Sequence, residues 1–336
     1  MSGPARRLRV VRAQGQAPIE QAARLRAEGA AAVLVHGGDG PHWLDSEHAR
    51  GWVRGSGPSE PAALEQAWKA LSEQGYVSAD AALLAFDSLP LLSWGQAPTE
   101  PDSQPAKDDV SLGIYAIVDS AQQVRQVLEA GVRTVQLRIK RPGDADARWQ
   151  ATLAGAVRES VAAAREHGAL LFINDHWRLA AELGATAIHL GQEDLLALGD
   201  AGRAGLRATG LCLGVSSHAV WELCRARALA PAYIACGPVW PTTTKDMPWL
   251  PQGLDNLAWW TRAAGTPVVA IGGILTAEQV RETARAGAAG VCVLRGLGAE
   301  PKQVVPALQD AFELGRSERA TVVAPARPHP TLEPTA

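Results

Sequence analysis

Eight short apolar runs, rich in β-branched residues and separated by helical patterns, constrain this chain more than any other feature of its sequence. They are Ile114–Asp119, Thr134–Lys140, Leu170–Asn174, Ala187–Gly191, Cys212–Ser216, Tyr233–Gly237, Pro267–Gly272 and Gly290–Leu294. Helix-spaced apolar residues fill stretches between them, such as Ala121–Ala130, Trp149–His167, Val220–Ala228 and Ala277–Ala286. Continuously apolar strands need cover on both faces, and crossover helices supply it, so the strands are expected to run parallel. Eight strand–helix units between Ser111 and Leu314 match the count of a closed (β/α)₈ TIM barrel. Periodicity alone leaves a doubly wound open sheet as the alternative.

The chain has 336 residues, more than a usual single domain, so further parts are expected around the barrel. Residues 1–95 read as a small α/β domain, 96–110 as a linker, 111–315 as the barrel and 316–336 as a disordered tail. The linker is rich in Pro, Ser, Gln and acidic residues without periodicity. The tail has several prolines and no sustained helix pattern. A net charge of −3 gives no reason to expect nucleic acid or an acidic membrane as partner. Arg6, Arg7 and Arg9 are not followed by an apolar segment of signal-peptide type. The longest apolar runs, Ala30–His36 and Thr266–Ile274, are strand-sized and too short to span a bilayer. Cys212, Cys224, Cys236 and Cys292 lie in periodic apolar segments with no C-x-x-C spacing and read as buried thiols in a reducing cytoplasm. A homo-oligomer is compatible with all of this.

A barrel keeps its reactive groups at the carboxyl ends of its strands. Here the second strand ends in Gln136-Leu137-Arg138-Ile139-Lys140, the third in Asn174-Asp175 and the fourth in His189-Leu190-Gly191-Gln192-Glu193-Asp194. The fifth ends in Gly214-Val215-Ser216-Ser217-His218, the sixth in Gly237 through Lys245, and the seventh in Ile271-Gly272-Gly273-Ile274. Strand alternation puts Gln136, Arg138 and Lys140 on one side and Leu137 and Ile139 on the other. Asp175 and Asp194 could each cap a helix, the commoner role for Asp at such points. Two carboxylates on neighbouring strand ends also suit Mg²⁺, which uses one or two carboxylates plus phosphate oxygens. Thr242, Thr243, Thr244 and Lys245 offer hydroxyls, amides and an ammonium, although a Thr run is more often a simple turn. Gly272-Gly273 permits close backbone approach where barrels often bind phosphate.

In this order and spacing, Q-L-R-x-K (Gln136–Lys140), I-N-D (Ile173–Asp175), H-L-G-Q-E-D (His189–Asp194), G-V-S (Gly214–Ser216), G-P-x-x-P-T-x-T-K (Gly237–Lys245) and I-G-G-I (Ile271–Ile274) resemble the thiamine phosphate synthase family from about Leu112 to Leu297. The resemblance implies a transferase that joins a pyrimidine methyl diphosphate to a (carboxy)ethylthiazole phosphate, with Mg²⁺ as cofactor. Gln136, Leu137, Arg138, Ile139, Lys140, Asn174, Ser216 and Lys245 would line the pyrimidine diphosphate site, with Lys140, Ser216 and Lys245 acting in catalysis. Asp175 and Asp194 would hold the metal. Thr242, Thr243, Thr244, Gly273 and the Leu294-Arg295 turn would take the thiazole phosphate. The chain departs from the family at Arg295, where Ser is usual; arginine can still hold phosphate bidentately. No Ser–His or Cys–His pair suggests a covalent route, and the family's chemistry has the diphosphate leave first. The protein's part is then charge neutralisation and positioning. His218 reads as structural. The alternatives are a thiazole tautomerase, which needs no diphosphate site, and a non-catalytic regulator, whose decay would have erased some of these residues.

The first third reads as helix then strand over Pro18–Gly38, followed by Gly55-Ser56-Gly57-Pro58 and an Ala-rich helix, Pro61–Gln74. It faintly resembles the C-terminal part of hydroxymethylpyrimidine phosphate kinase. Pro58 stands where that family has its catalytic residue, and proline offers neither a base nor an N–H. An inactive remnant is expected, with an unrelated α/β module as the alternative. Because the barrel looks complete from about Leu112, a chain starting near Asp109 is expected to keep synthase activity.

Overall fold

The structure, a computed structural model, describes residues 8–14, 17–98, 111–243 and 248–333. The first domain contains β1 (Leu8–Arg12), α1 (Pro18–Ala27), β2 (Ala32–His36), β3 (His42–Asp45), β4 (Arg50–Arg54), α2 (Pro61–Glu73), α3 (Ser78–Leu84) and β5 (Leu91–Ser93). Its five strands lie in chain order, β1 parallel to β2 and the rest antiparallel. The expected helix and strand of Pro18–Gly38 are α1 and β2, and the hairpin β3–β4 occupies the stretch whose pattern is interrupted. Trp68 of α2 is wholly buried in this domain's core, with its indole N–H donated to the Ser78 carbonyl at 2.9 Å.

The barrel follows as β6 (Gly113–Val118), α4 (Ala121–Glu129), β7 (Thr134–Leu137), α5 (Ala147–Glu166), β8 (Leu170–Asn174), α6 (Trp177–Glu182) and β9 (Ala187–Leu190). It continues through α7 (Gln192–Ala197), α8 (Gly199–Ala208), β10 (Cys212–Ser217), α9 (Val220–Arg227), β11 (Tyr233–Cys236) and α10 (Gly253–Ala263). It ends with β12 (Val268–Ala270), α11 (Ala277–Arg285), β13 (Gly290–Val293) and α12 (Pro301–Ser317). All neighbouring pairs are parallel, and β13 pairs with β6 from Gly290↔Gly113 to Val293↔Ala116. That closure excludes the open sheet. Alternation decides each side chain's place. Tyr115, Ile117, Phe172, Tyr233 and Cys292 pack inside the barrel, while Ile114, Ala116, Val135, Leu137 and Ile173 pack outward under the helices. Local caps fix several helix starts: Ser120 Oγ accepts from Gln123 N, Asp146 Oδ1 from Trp149 N, and Thr276 with Gln279 forms a capping box. No helix among the described residues is long and apolar enough to cross a membrane.

The C-terminal segment corrects the expectation of a disordered tail. Residues 316–317 end α12, a 3-10 turn covers Arg319–Thr321, and 322–333 form an extended strap with Thr331 and Leu332 buried. Prolines stop it from continuing the helix, but extended chain can be ordered where side chains supply its hydrogen bonds. Tyr76 donates its hydroxyl to the Pro328 carbonyl, and Asn256 bonds His329 through both main-chain groups. The strap therefore lies against both domains.

The domains also meet directly. Asp80 of α3 accepts the Trp221 N–H at the start of α9 at 2.9 Å, and Arg227 donates to the carbonyls of Leu89 and Pro90. The guanidinium groups of Arg203 and Arg225 lie 4.5 and 4.6 Å from the Trp94 ring.

Candidate active site

A cavity of about 480 Å³ opens among the C-terminal strand ends of the barrel. On its first side, β7 and the residues after it contribute Gln136, Arg138 and Lys140, and β8 contributes Asn174 and, just past it, Asp175. Lys140 Nζ stands 2.6 Å from Asp175 Oδ2. Asp175 has φ of 66°, a left-handed conformation that Asp tolerates better than most residues. Its carboxylate goes to Lys140 rather than to the start of α6, so it is not that helix's cap. Asp194, on α7, does serve its own helix: Oδ2 accepts from Gly191 N at 3.1 Å. It also lines the cavity. Burial, then the Asp175 carboxylate beside it, holds Asp194 above the ordinary Asp range.

Asn174 carries an unfinished interaction. Its residue is 4 % exposed and lines the cavity, yet Nδ2 is buried with no hydrogen-bond partner. A buried donor left open is costly, and a ligand acceptor in the cavity would complete it.

Beneath these groups runs a buried polar chain. Gln136 Nε2 donates to the Tyr115 hydroxyl at 3.2 Å, Tyr115 and Tyr233 hydroxyls share a bond of 2.8 Å, Tyr233 meets His189 Nδ1 at 2.7 Å, and His189 Nε2 meets Ser216 Oγ at 3.0 Å. Burial pushes the His189 imidazole down to about 4 and both phenols well up, so all three are neutral near pH 7. Tyr115, Tyr233, His189 and Ser216 form one continuous hydrogen-bonded line anchored by the Gln136 amide. In the tautomer with the His189 proton on Nε2, Ser216 Oγ accepts from His189 and keeps its own proton for a ligand in the cavity.

On the far side of the barrel, Thr242 and Gly273 line the cavity from the segments after β11 and β12, and Leu294 and Arg295 from that after β13. Arg295 Nη1 donates to Thr243 Oγ1 at 3.2 Å. Gly273 has φ of 72°, and a Cβ there would stand 2.6 Å from Trp240 Cβ. Only glycine lets this turn lie so close to the segment after β11.

The structure thus gathers Gln136, Arg138, Lys140, Asn174, Asp175, Asp194, Ser216, Thr242, Gly273, Leu294 and Arg295 around one space, with Thr243 attached through Arg295. Leu137 and Ile139 are not brought there. Leu137 is 1 % exposed in the layer under the helices, and Ile139 packs against that layer. They could meet a substrate only through main-chain atoms. Thr244 and Lys245 lie outside the described residues. The structure adds His189, Tyr115 and Tyr233, which the same alternation that turned Gln136 inward would have identified. It also adds His218 and Trp249, whose rings stack at 5.4 Å with planes 10° apart and line the cavity. Nothing in the sequence around Trp249 announces this.

A closed (β/α)₈ barrel with cations, paired carboxylates and a glycine-built turn around one cavity defines an enzyme for phosphorylated small molecules. The family profile described as thiamine monophosphate synthase matches residues 114–297. The chain belongs to that family. It is 45% identical over 206 residues to a thiamine-phosphate synthase of Neisseria meningitidis serogroup A, covering 60% of this chain and 95% of that one. It is 46% identical over 189 residues to a thiamine-phosphate synthase of Rhizobium etli, covering 56% and 87%. Among solved structures, a thiamine phosphate pyrophosphorylase from Pyrococcus furiosus superposes with a TM-score of 0.51 at 27% identity, covering 61% of this chain and 96% of that one.

Proposed function

We propose that this chain condenses 4-amino-2-methyl-5-(diphosphooxymethyl)pyrimidine with a (carboxy)ethylthiazole phosphate, giving thiamine phosphate and pyrophosphate, with carbon dioxide as a further product when the thiazole carries the carboxyl group. The observation that carries the reading is the division of one cavity into two poles. Arg138, Lys140, Asn174, Asp175 and Asp194 lie on β7 to α7, whereas Thr242, Gly273 and Arg295 follow β11 to β13 across the barrel. The first pole suits a diphosphate and the second a monophosphate, leaving the space between for two rings. Arg138 and Lys140 neutralise the leaving diphosphate, Asn174 donates to it or to the pyrimidine, and Ser216 presents the proton that His189 leaves free. The bond from the pyrimidine methylene carbon to diphosphate oxygen breaks with its electron pair on oxygen, and the thiazole nitrogen supplies the pair that replaces it. Positioning and charge stabilisation carry the rate.

Two carboxylates crowded together, with Asp194 held above its ordinary range, fit a hard cation that relieves their repulsion. Among the described residues no third His, Cys, Asp or Glu joins them in a cluster that could hold a metal. Mg²⁺ would be held by Asp175 and Asp194 together with diphosphate oxygens, and when bound it would offset charge on the leaving group. The same reading places the chain in the cytoplasm, supported by the free thiols of Cys224, Cys236 and Cys292 in the core; Cys212, expected to be buried with them, is exposed at the start of β10.

The test mixes purified protein, Mg²⁺ and both substrates and measures thiamine phosphate and pyrophosphate. Both are expected, chelator is expected to abolish them, and Asp194→Asn is expected to lower turnover strongly. No thiamine phosphate would sink the reaction; full activity in chelator would sink the metal.

A further inference from the structure

The strap of residues 322–333 lies beyond the stretch that matches the family, yet it reaches the cavity through buried polar side chains. His329 donates its main-chain N–H to Asn256 Oδ1 at 2.7 Å and accepts at its carbonyl from Asn256 Nδ2 at 3.1 Å. Asn256 Nδ2 also donates to Gln252 Oε1 at 3.0 Å, and His329 Nε2 donates to the Gln252 carbonyl at 2.9 Å. Gln252 passes the link on. Its Nε2 donates to the His218 carbonyl at 2.7 Å, and its main-chain N–H to the Pro238 carbonyl at 2.7 Å. Leu250 N donates to the Thr331 carbonyl at 2.9 Å, so the strap holds the chain next to Trp249 as well. Asn256 and Gln252 are 0 % exposed. Buried amides are satisfied in few arrangements, which makes such a network a rigid register.

What this register holds is the stacked pair His218 and Trp249. Glu222 Oε2 fixes His218 from a third direction, accepting from its main-chain N–H at 2.7 Å and lying 2.8 Å from Nδ1. The pair lines the same cavity, His218 just past β10, the strand between β9 and β11, and Trp249 in the segment between β11 and α10.

We propose that the C-terminal strap positions the His218–Trp249 pair as a clamp that keeps water from the reacting carbon, with Asn256, Gln252 and His329 as positioning residues. The inference rests on the synthase reaction above. Once the carbon–oxygen bond breaks, the pyrimidine methylene carbon is electron-deficient until the thiazole nitrogen donates its pair. A water oxygen can donate instead, forming a carbon–oxygen bond and losing a proton to solvent. The products are then hydroxymethylpyrimidine and pyrophosphate, with no thiamine phosphate. Closing a site suppresses such losses, and two stacked rings supply an apolar wall for it.

The readout is the ratio of pyrophosphate released to thiamine phosphate formed by the full chain with Mg²⁺ and both substrates saturating. It is expected near one for the parent chain and at least about twofold higher in Asn256→Ala, His329→Ala and Trp249→Ala, with hydroxymethylpyrimidine accounting for the excess. Loss of folded protein lowers both products together and leaves the ratio unchanged. Asn256 is wholly buried, so His329→Ala, at an exposed residue, is the variant that tests the strap without threatening the core. A ratio of about one in folded His329→Ala and Trp249→Ala overturns the proposal. If the parent chain forms no thiamine phosphate, the reaction assignment fails and the proposal falls with it.

Discussion

The resemblance marks Arg295 as the unexpected residue of the site, and the structure gives it a place rather than leaving it loose. It lines the cavity and donates to Thr243, so its charge sits at the pole opposite Lys140. Both side chains are largely exposed, which screens their charges and limits what each is worth. Arg295→Ala is therefore expected to weaken thiazole phosphate binding by about tenfold, close to 1.4 kcal/mol, and to leave pyrimidine diphosphate binding nearly intact. Lys140→Ala should do the reverse. Calorimetry with each ligand on each variant decides it; equal losses for both ligands would mean that the two poles are not separate. At this scale the sequence was informative wherever alternation operates. Gln136 turns in and Leu137 turns out as the strand period requires, and His189 follows the same rule. Trp249 does not, because it reaches the cavity through stacking on a residue of another loop, and no local period encodes that.

At the scale of elements, the eight strands were legible because each is a continuous apolar run bounded by polar strand ends. The helix α9 was legible too, from Val220 onward, but what caps it was not. Ala219 at its N-cap has no side chain to offer, and Asp80, from α3 of the other domain, fills the role by accepting from Trp221. A cap supplied from so distant a part of the chain leaves no local signal. Burial pushes the Asp80 carboxyl up to about 7, with Glu222 adding to the rise, while the amides of Trp221 and Val220 and the Thr331 hydroxyl pull against it. The sign follows from which state binds the proton. The unfolded chain releases it near the ordinary value of 3.8 and the folded chain near 7, so stability falls as pH rises between those limits and is flat above them. The slope is at most about 1.4 kcal/mol per pH unit. Asp80→Asn keeps an acceptor for the α9 amides without the charge, and its melting temperature is expected to lack this slope. Asp80→Ala removes the cap and should cost about 1 kcal/mol or more throughout. Thermal melts of the three proteins from pH 5 to 8 test this; an Asn variant with the parent's pH slope would rule Asp80 out as its source.

At the scale of the whole molecule, the first domain bears on the barrel more than its sequence suggested. We read it as an inactive remnant with a structural role. A Cβ at Gly57 would stand 2.7 Å from the Phe86 ring, and His36 Nε2 donates to the Pro58 carbonyl at 3.2 Å. The glycine loop is thus packed against its own domain at Gly57 and Pro58. Its outer surface meets α9, whose Glu222 holds His218, and Tyr76 fastens the strap that holds Gln252. From the sequence alone, a chain lacking the residues before Asp109 looks self-sufficient, since every barrel strand follows it. The contacts keep that expectation for activity but attach a cost to it. Removal strips the cap from α9, uncovers Arg225, which is 5 % exposed, takes the Trp94 ring from Arg203 and Arg225, and frees Pro328. Losing one cap, two cation–π contacts and several hydrogen bonds amounts to about 3–5 kcal/mol, offset in part by relaxation of the freed groups. For a domain of this size that lowers the melting temperature by roughly 5–15 °C. The truncated chain is expected to keep its barrel and still form thiamine phosphate, but to melt earlier and to release more pyrophosphate per thiamine phosphate. Circular dichroism on heating and the same product ratio measure both effects. Should the truncated chain melt with the parent and couple its products equally well, the first domain would be an appendage, and the barrel would hold its clamp without help.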